Sequence, residues 1–195
     1  MRSSLRRLIE TAGIKAEAFD SAEAFLDSYD VQRPGCLLLD LQMPGMSGLQ
    51  LLERLASRGD GRPVIVLTGH ADVPTAVRAM KAGAVDFIQK PFQIPELLER
   101  IRQSLALDAQ WRRWKLEAAQ ILDRMNALSP REREVLDMVV DGRSTREIAE
   151  ELGLRTRTVD LHRHSIMHKM GARSSVDLVR MTAVCRPVKG GPTPP

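Results

Sequence analysis

Hydrophobic residues in the first half of the chain follow two alternating patterns. Short apolar runs of strand length occupy residues 14–19, 36–39, 63–67 and 85–89. Between these runs, apolar residues recur at the three- and four-residue spacing of helices. The runs 36–39 and 63–67 contain no polar alternation, which is typical of parallel strands covered on both faces. The alternation therefore predicts right-handed βαβ units and an α/β domain.

Capping residues mark where the helices of this half are expected to begin. The candidate caps are Ser3 or Ser4, Asp20 or Ser21, Ser47 and Asp72, and Pro95 is expected in the first turn of a helix over 96–104. The helix that follows Asp72 is predicted to turn Val73, Val77 and Met80 inward, because these residues share one face at helical spacing.

The second half shows helical periodicity only. Residues 103–127 lack proline and glycine, which predicts a helical linker. Ser129 and Glu132 form a capping box around Pro130, and Ser144 or Thr145 caps a short second helix. Gly153 then makes a tight corner before a third helix over about 157–170, and this order is that of a helix-turn-helix. A last amphipathic helix carries Val176, Leu178, Val179 and Met181.

The third helix of this half has one apolar face and one polar face. At 100° per residue, Val159, Ile166 and Met170 point inward, whereas the residues predicted to point outward are Asp160, Leu161, His164, Ser165 and His168. An exposed Leu161 suits contact with a thymine methyl group, and His164 can reach base edges or phosphates. Arg157, Thr158 and Lys169 are expected to hold the DNA backbone.

Two details of this helix have alternatives. Arg155 cannot cap the helix start, so Thr156 is predicted to do so. His164 and His168 stand four residues apart, as metal ligands on a helix do, but the helix face on which they lie already has a use in contacting DNA. The DNA-binding interpretation is therefore preferred.

Composition and charge narrow the function. Forty-three per cent of the 195 residues are hydrophobic and 28 per cent are charged, and no apolar run approaches the roughly 18 residues of a membrane span. The start of the chain lacks the apolar core of a signal peptide, so a cytoplasmic protein without membrane contact is expected, with Cys36 and Cys185 as free thiols. Residues 155–195 carry 8 basic and 2 acidic side chains, which favours a nucleic-acid partner there.

Three consecutive strands deliver Asp40, Thr68 and Lys90 to one edge of the predicted sheet. A carboxylate that accepts a phosphoryl group needs a cation and a hydroxyl to hold the phosphoryl oxygens. Each residue alone also has an ordinary structural explanation, such as a turn-capping Asp or a surface Lys. Their joint position at strand ends favours chemistry.

The contexts Leu-Leu-Leu-Asp40-Leu-Gln-Met-Pro-Gly, Val-Leu-Thr68-Gly-His and Gln-Lys90-Pro-Phe resemble the receiver domain of two-component response regulators. The resemblance covers residues 1–104 and implies a doubly wound, flavodoxin-like parallel sheet. It also implies that a sensor histidine kinase phosphorylates Asp40, that Thr68 and Lys90 bind the acyl phosphate, and that Phe87 reorients on activation.

The stretches Leu128-Ser-Pro-Arg-Glu-Arg-Glu-Val-Leu136, Glu147-Ile-Ala-Glu-Glu-Leu-Gly153 and Arg157-Thr-Val-Asp-Leu-His-Arg163 resemble the LuxR-type four-helix DNA-binding domain. Together, the two resemblances indicate a transcription regulator of the FixJ/NarL class. They imply a linker over 105–127, a DNA-binding domain over 128–184, promoter DNA as partner and a homodimer formed through the last helix. Residues 185–195 are Pro- and Gly-rich and are predicted to be disordered.

One departure from the receiver pattern leaves two interpretations open. Receivers open with a central strand that ends in two acidic residues for Mg²⁺, whereas this sequence begins within the following helix. Either the start lies roughly 15 residues further upstream, or the strand is lacking. Mg²⁺ would then have only the Asp40 carboxylate and the Gln42 carbonyl, too few ligands for a tight site.

The function is accordingly either a regulator controlled by phosphorylation of Asp40 or a pseudo-receiver that binds DNA without phosphorylation. A third class, an α/β phosphotransferase or hydrolase, lacks a phosphate-cradling glycine loop and a Ser or Cys nucleophile with a base. The protein is therefore not expected to be an enzyme.

Overall fold

The structure is a computed structural model that describes residues 2–59, 61–69 and 73–185. The chain divides into two compact units, Met1–Trp111 and Arg112–Pro195. The predicted cap at Asp72 and residues 186–195 of the predicted tail lie outside the described residues. In the described ranges, no helix is both long enough and apolar enough to cross a membrane.

The first unit alternates helices with the strands of a parallel sheet. Its elements in chain order are α1 (Arg2–Thr11), α2 (Ala22–Asp27), β1 (Leu37–Asp40), α3 (Gly48–Ser57), β2 (Val64–Thr68), α4 (Val73–Lys81), β3 (Asp86–Gln89) and the first part of α5 (Ile94–Asn126). The strands pair in the order β1-β2-β3, with Leu37 opposite Val64 and Ile65 opposite Asp86.

Helices cover both faces of this sheet, because successive strand residues point to opposite sides. Val64 and Val66 pack on one side with Phe25 and with Leu51 of α3. Ile65 and Leu67 pack on the other side in a cluster that the helices α1 and α5 also enter, through Ile9, Leu97 and Ile101. The doubly wound parallel sheet predicted from the sequence is therefore confirmed.

The predicted strand over 14–19 is wrong. This segment carries no strand assignment, and a groove of about 510 Å³ that it lines together with Leu37 and Leu39 runs beside β1. Strand geometry requires a hydrogen-bonded neighbour, and in the described sheet β1 pairs with β2 and not with residues 14–19. Within the described residues, β1 is consequently an edge strand.

The predicted inward face of α4 is also wrong. Val73, Val77 and Met80 are 75%, 44% and 49% exposed, whereas Ala79 is fully buried. Alanine has no bulk beyond its Cβ, so packing through Ala79 lets α4 approach the sheet more closely than a valine stripe would allow. The larger apolar residues are left facing outward.

The start of α1 differs from its prediction as well. The helix already includes Arg2, so Ser3 and Ser4 lie inside it and do not cap it. Ser21 and Ser47 do cap α2 and α3, and Ser47 forms a capping box with Gln50.

The second unit is entirely helical in its described residues. It contains the end of α5, then α6 (Pro130–Val140), α7 (Thr145–Leu152), α8 (Thr156–Met170) and α9 (Ser175–Cys185). One core joins these helices, and its fully buried members are Val135, Leu136, Ile148, Val159, Ile166 and Met170. The predicted helix-turn-helix is formed by α7 and α8, and Gly153 makes the corner between them with a φ of 63°.

Candidate functional sites

The carboxyl ends of the three strands bring Asp40, Thr68 and Lys90 together. Asp40 is the last residue of β1, Thr68 is the last residue of β2, and Lys90 directly follows β3. The parallel register places Asp40 opposite Leu67 and Thr68 opposite Gln89. The predicted edge of the sheet therefore exists in the first unit.

Asp40 and Lys90 are in direct contact. The Lys90 Nζ donates a hydrogen bond to Asp40 Oδ2, and the side chain of Lys90 is 19% exposed and that of Asp40 30%. The other carboxylate oxygen, Oδ1, accepts the Gln42 backbone N–H at 3.1 Å. The carboxylate is thus oriented by two donors and still reaches solvent.

Thr68 and Phe87 lie deeper than Asp40. Thr68 is 2% exposed, and its backbone carbonyl accepts the Lys90 N–H at 2.7 Å. Phe87 is half-buried and packs against the core on one face of the sheet. The two side chains predicted to respond to phosphorylation are therefore set into the domain, while Asp40 borders its surface.

The loop after Asp40 is held by two residues that the sequence did not single out. A Cβ on Gly48 would lie 2.2 Å from the Asp40 carbonyl oxygen, so the first residue of α3 must be glycine for the loop to close this tightly. The Gly48 N–H also donates to the Leu41 carbonyl at 3.2 Å. A glycine in the first turn of a helix, where propensity disfavours it, is the available sequence signal.

Glu23 of α2 fixes the other side of the same loop. Its Oε1 accepts the Met46 backbone N–H at 3.0 Å. Hydrogen bonds from the backbone N–H groups of Glu23 itself and of Met46, and from Ser21, lower the pKa of the Glu23 carboxyl. No local pattern could have linked position 23 to position 46.

The oxygen ligands that a divalent cation would need are few beside Asp40. In the part of the chain that the structure describes, no three His, Cys, Asp or Glu side chains come close enough to hold a metal ion. Mg²⁺ prefers octahedral coordination by oxygen. Asp40 and the Gln42 carbonyl, the two predicted ligands, do not by themselves make up such a site.

In the second unit, α8 presents the predicted outward face. Leu161 is 65% exposed, while Val159, Ile166 and Met170 are fully buried, as the periodicity predicted. The other predicted contact residues that are exposed are Arg157, Asp160, His164, His168 and Lys169, and Thr158 is half-buried. No metal-binding group forms around His164 and His168 among the described residues.

The start of α8 corrects one prediction. Thr156 is the first residue of the helix, and the cap position is occupied by Arg155, whose side chain makes no capping hydrogen bond. The backbone of Arg155 nevertheless has the extended conformation of a cap, with φ −78° and ψ 144°. The helix therefore begins without the side-chain acceptor that Ser144 provides for α7.

Lys169 and Ser165 do not point freely to solvent. Lys169 Nζ and Ser165 Oγ both donate to the Glu132 carboxylate, at 2.7 Å and 2.6 Å. Glu132 was predicted only as the capping-box partner of Ser129, a role that it also performs. Its contacts with α8 come from 33 and 37 residues away in sequence, beyond the reach of spacing arguments.

Comparisons with known proteins match both units. The family described as the response regulator receiver domain matches residues 1–102, and the LuxR family of bacterial regulatory proteins matches residues 126–182. The chain is 44% identical to the transcriptional regulatory protein FixJ of Azorhizobium caulinodans, over 93% of this chain and 86% of that protein. It is 42% identical to the response regulator protein TodT of Pseudomonas putida, over 92% of this chain and 79% of that protein.

Solved structures agree with these matches. The response regulator StyR is similar with a TM-score of 0.79 and 42% identity, covering 94% of this chain and 92% of that chain. Full-length FixJ from B. japonicum is similar with a TM-score of 0.56 and 39% identity, covering 95% and 91%.

Proposed function

Since this chain belongs to the FixJ-like two-component response regulators, which act as transcription regulators, we propose that Asp40 is its phosphoacceptor and α8 its DNA-reading helix. The family implies a sensor kinase and DNA as partners, and it does not favour the phosphorylation-independent alternative. We also propose a cytoplasmic location, which a DNA partner supports.

The contact between Asp40 and Lys90 carries the first part of this proposal. A carboxylate oxygen of Asp40 forms the new bond to phosphorus as the bond to the donor breaks, and the product is an acyl phosphate. The Lys90 ammonium already lies against this carboxylate, where it can neutralise charge on the transferred oxygens. Mg²⁺, which receivers generally use, would supply further neutralisation when bound.

Thr68 and Phe87 are the residues proposed to convert phosphorylation into a change of shape. Thr68 is buried beside Lys90 and ends the strand next to the one that Asp40 ends, a position from which its hydroxyl would bind a phosphoryl oxygen. Phe87 lies two residues before Gln89, the register partner of Thr68. A half-buried ring at this position can change rotamer as the strand end moves.

Intact-mass measurement after incubation with a small phosphodonor tests the role of Asp40. We expect any phosphoryl adduct that the wild-type chain takes up with Mg²⁺ to be absent from Asp40→Asn, which keeps the shape and removes the nucleophile. Unchanged labelling of Asp40→Asn would contradict the assignment. Absence of labelling on the wild type with Mg²⁺ would favour the pseudo-receiver alternative.

Affinity measurements on specific and random DNA test the role of α8. Leu161→Ala and His164→Ala should weaken binding to a duplex selected by the wild-type chain and leave binding to a scrambled duplex nearly unchanged. Leu161 is the most exposed apolar residue of this helix, so its loss removes contact area and little stability. Equal losses on both duplexes would contradict the assigned face.

We further propose that α9 contacts a second copy of the chain. Its Leu178 is buried, whereas Val176 and Val179 are 75% and 42% exposed, so α9 is apolar on its outer face as well. Sedimentation of the phosphorylated chain should show a dimer that Val179→Glu prevents, and a dimer that persists in this variant would contradict the proposal.

A further inference from the structure

One carboxylate joins helix α6 to helix α8 inside the DNA-binding unit. Glu132 Oε2 accepts the Lys169 Nζ and the Ser129 backbone N–H, both at 2.7 Å, while Oε1 accepts the Ser165 hydroxyl at 2.6 Å. The Glu132 side chain is 6% exposed. A buried carboxylate with three donors is a strong restraint, because each bond is charge-assisted and replaces lost hydration.

The two partners on α8 lie on one side of the helix. Ser165 and Lys169 are one helical turn apart, and both are roughly 40–80° around the axis from Leu161 at 100° per residue. They thus occupy the flank between the exposed face and the buried face that carries Ile166. The two hydrogen bonds from this flank to Glu132 restrain rotation of α8 about its own axis. Such a rotation would move Leu161 sideways.

The same contact also removes a positive charge from the outer surface. Lys169 is 38% exposed, and its ammonium group is paired with Glu132. A lysine at the edge of a DNA-reading helix would otherwise be able to reach a phosphate in any sequence. The pairing therefore favours readout by the exposed face over contact with the DNA backbone.

We propose that Glu132 is a positioning residue for sequence-specific DNA binding, one that sets the rotation of α8 and withholds Lys169 from the phosphate backbone. The proposal rests on α8 as the DNA-reading helix. It replaces the earlier expectation that Lys169 itself holds the backbone.

Glu132→Gln is the informative substitution, because glutamine keeps the size of the side chain and removes its charge. Affinity for a duplex selected by the wild-type chain should fall about tenfold or more, as expected for the loss of charge-assisted bonds. Affinity for a scrambled duplex should rise, and its salt dependence should steepen by about one phosphate contact as Lys169 is released. A simple loss of stability would not strengthen binding to random DNA.

Glu134→Gln is the matched control for net charge. Glu134 stands on the same helix, is 54% exposed and forms an ion pair with Arg131 one helical turn away. The substitution Glu134→Gln raises the net charge by the same amount as Glu132→Gln does. Because it leaves the contacts of Glu132 in place, the ratio of specific to non-specific affinity should stay close to that of the wild type. An equal fall in this ratio for both variants would overturn the proposal.

Lys169→Gln separates the two roles considered for Lys169. If Glu132 withholds this lysine, binding to random DNA and its salt slope should stay unchanged while specific binding weakens. If Lys169 contacts phosphate, both affinities should fall and the slope should decrease by about 1, the result expected for Arg157→Gln on the exposed face. That second pattern for Lys169→Gln would overturn the proposal.

The measurements use fluorescence anisotropy of the full chain at several salt concentrations, below the melting temperature of each variant. If Glu132→Gln does not fold, Ser165→Ala tests the same restraint by removing one donor, and an unchanged affinity ratio would refute the inference. Leu161→Ala keeps the two proposals distinguishable. If Leu161→Ala does not lower specificity, the assignment of α8 is wrong. If Leu161→Ala lowers specificity but Glu132→Gln does not, only the positioning role of Glu132 is refuted.

Discussion

The carbonyl oxygen of Asp40 leaves no room for a side chain at position 48. A Cβ at Gly48 would come within 2.2 Å of this oxygen and within 2.8 Å of the Leu41 Cα. Both atoms belong to the backbone and cannot rotate away. The glycine therefore decides how closely α3 approaches the end of β1, and with it the shape of the loop beside Asp40.

We predict that Gly48→Ala destabilises the receiver domain by about 1–3 kcal/mol, the usual cost of overpacking. Urea unfolding of the first unit measures this change. Gly69→Ala is the matched control, because a Cβ at Gly69 has no atom within 4 Å. A similar stability for Gly48→Ala and Gly69→Ala would show that the loop can relax around the added methyl group.

Glu132 should make the stability of the DNA-binding domain depend on pH in the acidic range. Hydrogen bonds from Lys169, Ser165 and the Ser129 backbone lower the pKa of Glu132 from 4.5 to about 2 in the folded state. Because the folded pKa is below the unfolded one, the contribution is complete above pH of about 4.5 and is lost as the pH falls toward about 2.

Melting temperatures of the wild type and of Glu132→Gln check this expectation. The wild type should be more stable at neutral pH, and the difference should shrink at a pH of about 3 as the carboxylate of the wild type takes up a proton. A difference that stays constant with pH would mean that the variant is destabilised by lost packing rather than by lost charge.

At the scale of helices, α8 begins without the side-chain cap that α6 and α7 have. Ser129 and Ser144 complete capping boxes at α6 and α7, whereas Arg155 makes no side-chain cap for α8. A serine at position 155 would meet a backbone that already has cap geometry.

We predict that Arg155→Ser stabilises this domain by about 0.5–1 kcal/mol and that Ser144→Ala destabilises it by about 0.5–2 kcal/mol. Thermal unfolding of both variants measures the two shifts, and Arg155→Ala separates the new cap from the loss of a positive charge. Equal stabilities of Arg155→Ser and Arg155→Ala would show that the hydroxyl does not cap.

Elements with a local signal were predictable from the sequence, and those that depend on distant partners were not. Asp40 and Thr68 end buried apolar runs, and Ser47, Ser129 and Ser144 stand three residues before a Gln or Glu, so both features are read within a few positions. Which face of α4 packs against the sheet depended instead on how closely the helix can approach the sheet. Periodicity places Val73 and Val77 on a common face, but it does not rank that face against the smaller Ala79.

The same distinction separates the residues of the sites. The strand ends that carry Asp40, Thr68 and Lys90 were predicted because parallel strands share one carboxyl edge. Glu23 and the second role of Glu132 were missed, because each acts on a segment that only the tertiary fold brings near. The segment 14–19 was predicted as a strand from composition, although strand formation requires a paired neighbour.

At the scale of the whole molecule, each unit has its own core. The buried cluster of the second unit draws its members from residues between Ile121 and Leu178, and both clusters of the first unit lie between Ile9 and Ile101. Among the described residues, the buried members of each core all come from a single unit. This is the property expected of domains that fold alone.

We therefore predict that a fragment of residues 112–185 folds cooperatively without the receiver. Circular dichroism should show a helical spectrum and one sharp thermal transition, and Leu136→Ala should lower its midpoint because Leu136 is fully buried in the core. A broad, non-cooperative melt that the substitution does not change would show that the fragment needs the rest of the chain.

The parallel register of the sheet has a consequence for folding kinetics. Leu37 can pair with Val64, and Ile65 with Asp86, only after the intervening helix has looped back. The chain therefore loses conformational entropy before the favourable contacts of the paired strands form. The helices α6, α7 and α8 instead form their backbone hydrogen bonds between residues four apart, and a structure rich in such local contacts is typical of proteins that fold in microseconds to milliseconds. The domain that reads DNA should thus reach its native state faster than the domain that controls it, although the ribosome synthesises the controlling domain first.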